Sequence, residues 1–284
     1  MEAGQDMRVY VWTDLEGVVG MIDWDTFADE SPRFQERRRR VMHLFTNEVL
    51  AAVHGALDAG AEDVLVKDSH GPGDSLFFED LPPEAEFIIG VKGLPHPWAG
   101  LDRGFDATMI VGAHPMADTA AGVLPHTHYR INGVDLGDAG LFAAVSASLG
   151  VPCVFASGDD AAMAQLREWV PGIATVSTKY AYSPYAARMR SPAKARELIR
   201  QTAAEALRRR DAMPPLAMRP PYRVAYAGRT AQGDDLITTF MQAYDPEGVH
   251  FGNQNLEPER SYHDHVMKRW YGRFDAVQRE EPAP

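Results

Sequence analysis

The sequence predicts an α/β fold in which a mixed, largely parallel sheet is flanked by helices, with a smaller C-terminal α/β part. Two observations carry this. Short runs of β-branched and aromatic residues, beginning with Val9-Tyr10-Val11-Trp12, alternate along the chain with long segments whose apolar residues recur at helical spacing. The length of 284 residues suits one large α/β domain, or a domain with a smaller companion, and can bury a core without staples.

The elements follow in order. After the first strand, "RRRRVMHLFTNEVLAAVHGALDAG" repeats Val41, Phe45, Val49, Val53, Ala56 and Leu57 on one face, an amphipathic helix closed near Gly60. Arg37 to Arg40 read as its solvated face. "EDVLVKDSH" is a buried strand leaving through Asp68, Ser69 and His70, and "HGPGDS" is a turn. "AEFIIG" and "DATMIVGAHP" repeat the strand pattern, the second leaving through His114. "YRINGVDLGDAG" reads as a hairpin turning on Asn132-Gly133, with a helix through "LFAAVSASLG" after it. "CVFAS" is a strand running into "GDD", where Asp159 or a neighbour caps the helix "DAAMAQLREWV". Beyond Pro171 come a strand near "IATVST", a helix through "SPAKARELIRQTAAEALRRR", a proline-rich joint, a strand in "VAYAG", and helices near "DDLITTFMQAY" and "RSYHDHVMKRWYGRF". A boundary is expected near residue 190, giving a metal-binding catalytic α/β domain over 1–190 and a smaller C-terminal α/β region over 191–284.

Composition narrows the function. The net charge of -12 and pI near 5.3 argue against nucleic acid or an anionic membrane as the main partner and point to a small molecule or peptide. The single cysteine, Cys153 in "VPCVFAS", reads as a small buried hydrophobe and rules out an internal disulfide. There is no basic-then-apolar leader and no apolar run near the ~20 residues of a membrane helix, so a cytoplasmic protein is expected.

The chemistry gathers where strands end. Asp14 and Glu16 in "VYVWTDLEGVVG" are two apart, so on an extended strand end they point to the same side. Two such acids repel, and a cation belongs between them, either a basic side chain or a metal. His70 and His114 also stand just beyond β-runs, the edge where open α/β sheets bind ligands. Asp138 opens the helix after the hairpin, and "GVLPHTH" adds His126 and His128. Imidazole with carboxylate is a donor mix for zinc, manganese or iron, and these groups exceed the needs of one ion. Each residue taken singly is an ordinary cap, ion-pair partner or hydrogen-bonded core group. No H-E-x-x-H, G-x-S-x-G, phosphate-loop or dinucleotide motif is present. His263 and His265 lie two apart on an expected helix, so they face different ways and read as surface.

The ordered motifs "TDLEG", "VKDSH", "VGAHP", "AGVLPH", "INGVDLGDAGL" and "ASGDD" resemble those of the self-compartmentalising zinc D-aminopeptidases, over about residues 8–200. The resemblance implies metal ligands at Asp14, Glu16, His70, His114 and Asp138, a catalytic histidine at His126, and two zinc ions per subunit; Asp14, nearest the strand, is then the candidate bridging carboxylate. It also implies a homodecamer that admits only small peptides. The last ligand is usually glutamate in that family, and here it is the shorter Asp138. Gly17 would let the chain turn away without crowding the ions. The expected function is a metal-dependent aminopeptidase that cleaves short peptides with a D- or unusual N-terminal residue through a metal-activated water. The alternatives are a di-metal hydrolase of a non-peptide amide or phosphoester, or a non-catalytic peptide-binding ring protein.

Overall fold

The computed structural model describes residues 7–24, 26, 31–213 and 218–244. Its strands are β1 Met7–Thr13, β2 Ala61–Asp68, β3 Ala85–Ile88, β4 Ala107–Ala113, β5 Tyr129–Ile131, β6 Val134–Leu136, β7 Cys153–Asp159, β8 Ala174–Ser183, β9 Ala186–Met189, β10 Tyr222–Tyr226 and β11 Arg229–Gly233. Its α-helices are α1 Pro32–Asp58, α2 Asp138–Ser148, α3 Asp160–Trp169, α4 Pro192–Arg208 and α5 Leu236–Tyr244.

The main sheet has seven strands in the order β3-β2-β1-β4-β7-β8-β9. Every pair in it is parallel except β8 with β9, as the sequence leads one to expect of strands linked through helices. Both faces of the central strands are buried, which is why β1 reads as a continuous apolar run: Val9 and Val11 enter one core with Phe45, Val49 and Ile199, while Tyr10 and Trp12 enter the other with Phe142 and Ile110. Helices α1 and α4 cover the first face, and they cross closely at Gly55, where a Cβ would lie 2.6 Å from the carbonyl oxygen of Arg200. Strand order reverses direction at β1, with β2 on one side and β4 on the other. That switch point lies at the carboxyl ends of β1, β2 and β4, the edge where open α/β sheets bind ligands.

A second, antiparallel sheet runs β11-β10-β5-β6. Its β5–β6 hairpin turns on Asn132 and Gly133, both with positive φ (50° and 86°), the conformation that Asn-Gly suits. Contacts cross residue 190 in several places: α4 packs on α1, β7 and β8, α5 touches α2, and β10 pairs with β5. Asp159 caps α3, its side chain accepting from the Ala161 N–H at 2.9 Å. Strands β9 and β11 were not anticipated. Both are edge strands, and "RTAQG" in particular has no apolar alternation for a pattern to catch. The helix expected near "RSYHDHVMKRWYGRF", with His263 and His265, lies outside the described residues.

Candidate metal centre

The segment after β1 remains tied to β4. The Asp14 N–H donates to the Val111 carbonyl and the Gly17 N–H to the Gly112 carbonyl, both at 2.8 Å. A Cβ on Gly17 would fall 2.1 Å from the Ala113 oxygen, so the backbone of β4, rather than room for ions, demands glycine there. The outer side of the loop is held from two other elements. Glu48 on α1 accepts from the Val19 N–H at 2.9 Å, and Thr178 on β8 donates to the Gly17 carbonyl at 3.0 Å. Lys179, next along β8 and fully buried, donates to the carbonyls of Glu16 (2.5 Å) and Met21 (2.7 Å). Burial pushes its ammonium down to about 8, against the pull of Asp159, Glu48, Glu16 and Asp14. A basic side chain does therefore approach the acid pair, but it grips main-chain oxygen and leaves the carboxylates facing the imidazoles.

Three histidines face them. His70 Nδ1 contacts Ser75 Oγ at 2.8 Å, and its Nε2 lies 3.4 Å from Glu16 Oε1. The turn between His70 and Ser75 wraps the buried Asp68 carboxylate, which accepts the N–H groups of His70, Ser75 and Leu76. His114 donates Nδ1–H to the Pro115 carbonyl at 2.9 Å, while its Nε2 sits 2.9 Å from Asp138 Oδ2 and 3.3 Å from Asp14 Oδ2. His126 donates Nδ1–H to the Leu124 carbonyl at 2.8 Å and brings Nε2 to 3.9 Å from Glu16 Oε1. Each ring spends Nδ1 on the protein and turns Nε2 toward the acids, the arrangement that fixes imidazoles as ligands.

His126 is held tightly. Its ring stacks on that of His114 with centroids 3.5 Å apart, and Trp24 meets it edge-on at 4.9 Å. Leu124 and Thr127 flank it with positive φ (50° and 57°), a strained conformation for such residues that bends the chain to aim the ring inward. Ligand atoms of His114, His126 and Asp138 lie within 4.8 Å of one another. Asp138 is the first residue of α2, after an extended Gly137. Its Oδ1 accepts from Tyr129 OH at 2.8 Å and its Oδ2 from Thr127 Oγ1 at 2.5 Å. Thus Asp14, Glu16, His70, His114, His126 and Asp138 form one cluster of side chains. His128 is elsewhere, exposed and 2.7 Å from Asp135, which Arg130 also binds.

The charges are mutually dependent. Burial and the adjoining Glu16 hold the Asp14 carboxyl well above its ordinary range. Burial would lift Glu16 too, but His70 draws it well below. Burial would lower His70 and His114, yet Glu16 raises the first and Asp138 the second. His126, by contrast, is pushed down to about 4 by burial and by His114. Nitrogen and oxygen donors of this kind suit a divalent ion such as zinc. Glu16 Oε2 is buried with no hydrogen-bond partner among the described residues, and a cation between the acids would satisfy it. Cys153 takes no part: burial raises its thiol to about 12.

Several of these residues escape a reading of the sequence. Lys179, Thr178, Glu48, Ser75, Thr127 and Tyr129 belong to no motif; a lysine inside the β-run "STKYA" was the one available signal.

Imidazole and carboxylate donors gathered at the switch point of a parallel sheet mark a metallohydrolase. Comparison with known proteins bears out that class. The D-aminopeptidase family model matches residues 7–257. A D-aminopeptidase of Bacillus subtilis (strain 168) is 36% identical over 223 residues, 76% of this chain and 79% of that protein. The Zn-dependent D-aminopeptidase DppA from Bacillus subtilis, a self-compartmentalizing protease, matches in structure with a TM-score of 0.76 at 30% identity. That match covers 88% of this chain and 100% of the other. The chain belongs to the D-aminopeptidase family and is a metal-dependent aminopeptidase.

Proposed function

We propose that the protein removes a D- or unusual residue from the amino end of short peptides. Asp14, Glu16, His70, His114 and Asp138 would hold two zinc ions, and His126 would move the proton. The observation that carries this reading is the convergence of His70, His114 and Asp138, from two strand ends and a helix start, on the buried acid pair Asp14 and Glu16, with Glu16 Oε2 unsatisfied. When bound, zinc supplies Lewis acidity toward the scissile carbonyl and toward water.

The residues of the chain divide the remaining work. Glu16 with His70 forms one half of the centre and Asp138 with His114 the other. Asp14 faces His114 and adjoins Glu16, so its carboxylate would serve both halves of the centre. His126 is neutral, with its proton on Nδ1 committed to Leu124. Its Nε2 can accept a proton from water and return it to the leaving amine without reorienting the ring, because His114 and Trp24 hold that ring on two sides. The self-compartmentalizing relative supports a homo-oligomer here as well; in our reading that oligomer is a decameric ring stack admitting short peptides, working in the cytoplasm.

Two measurements test this. Metal analysis of gently purified protein should give up to two divalent ions per chain, and the His70→Ala and His114→Ala variants should each carry markedly less; full occupancy in both would overturn the assignment. Light scattering at micromolar concentration should report an assembly well above a dimer, and a stable monomer would remove the compartment and weaken the case for peptide substrates.

A further inference from the structure

The second sheet has no part in the metal chemistry described so far, yet it reaches the centre through one side chain. Tyr129 begins β5 and points its hydroxyl at Asp138 Oδ1, at 2.8 Å. The other oxygen, Oδ2, takes Thr127 Oγ1 and lies beside His114 Nε2. An aspartate has few torsions, and two hydroxyl donors on different oxygens fix the rotation of its carboxylate plane. Tyr129 is itself immobilised from the C-terminal side. Its ring stacks on Tyr226 of β10 with centroids 4.9 Å apart and packs edge-on against Phe240 of α5 at 5.7 Å. Pairing of Tyr129 with Leu136 across the hairpin sets the spacing between the tyrosine and the start of α2.

We propose that Tyr129 is a positioning residue for Asp138: it determines which carboxylate oxygen faces His114, and so sets the affinity of one of the two metal positions while leaving the other unchanged. The inference rests on the two-metal reading above. It also assigns a role to the second sheet and the helix packed on it, since β10 and α5 hold the tyrosine in place.

The test is a metal titration of the full-length protein, stripped of metal, with zinc against a chromogenic chelator, resolving two binding steps. Tyr129→Phe keeps the ring and its packing and removes only the hydroxyl. One step should weaken about 10–100-fold, the usual cost of losing a hydrogen bond to a ligand, while the other shifts by less than about twofold. Thr127→Val should weaken the same step, and Thr127→Ser, which keeps the hydroxyl, should restore it. Unchanged binding in Tyr129→Phe would overturn the proposal. Equal weakening of both steps, or a lowered Tm with both steps lost, would show a structural tyrosine and overturn it equally. Wild-type protein that binds no zinc would instead remove the two-metal reading itself, an outcome distinct from two intact steps in the variant.

Discussion

Replacing His126 by alanine should lower kcat by about 10²–10⁴-fold, the range for loss of a general acid–base group, with the metal content unchanged. The geometry makes this a real choice between roles. His126 is close enough to His114 and Asp138 for all three to offer atoms within 4.8 Å, so distance alone would also permit it to ligate. Its electrostatics suit either role: burial and the stacked His114 keep the ring neutral, as a ligand must be, and Nδ1 tied to Leu124 presents Nε2 alone. Metal content measured beside turnover separates the two. Loss of turnover with full occupancy supports the acid–base role, and loss of an ion with turnover shows a ligand.

The second large effect is expected at Asp138. Asp138→Ala should lose one metal and depress turnover by more than about 100-fold, the upper cost of disturbing a group one step farther from the metal. Asp138→Glu tests whether the backbone has settled around the shorter arm. Asp138 already meets His114, Thr127 and Tyr129 at 2.9, 2.5 and 2.8 Å, so its carboxylate sits in a filled cradle. A glutamate adds roughly 1.5 Å of chain, about one carbon–carbon bond, and must displace those partners. Activity should therefore fall in Asp138→Glu as well. A faster, tighter-binding glutamate variant would mean that the aspartate merely weakens an otherwise ordinary site. Wild-type activity and metal content in Asp138→Ala would leave Asp138 as the start of a helix and no ligand.

Much of the fold was legible because its signals are local. The apolar spacing from Val41 to Leu57 predicts a helix, and α1 places Val41, Phe45, Val49 and Val53 in the core. Asn132-Gly133 marks the hairpin turn because few other pairs tolerate two consecutive positive φ angles. A cap at Asp159 or a neighbour is legible for the same kind of reason, a side-chain oxygen just before a helix, and the structure selects Asp159. Strand β11 was not, since an edge strand with a polar sequence leaves no period to detect.

By itself, the sequence determined the donors: acids and imidazoles standing at the ends of β-runs, with a chemistry that suits a divalent metal and no competing motif. Only the tertiary structure decided which of them meet. Strand order placed β1 between β2 and β4, and this brought Glu16 to His70 and Asp14 to His114 across about 50 to 100 residues of chain. The same long-range packing set Lys179 against the Glu16 carbonyl, stacked His126 on His114, and aimed Tyr129 at Asp138. The physical reason is one of range. Periodicity, caps and turns act over a few residues and are written in adjacent positions, whereas convergence of side chains depends on sheet order and register, which many distant contacts settle together.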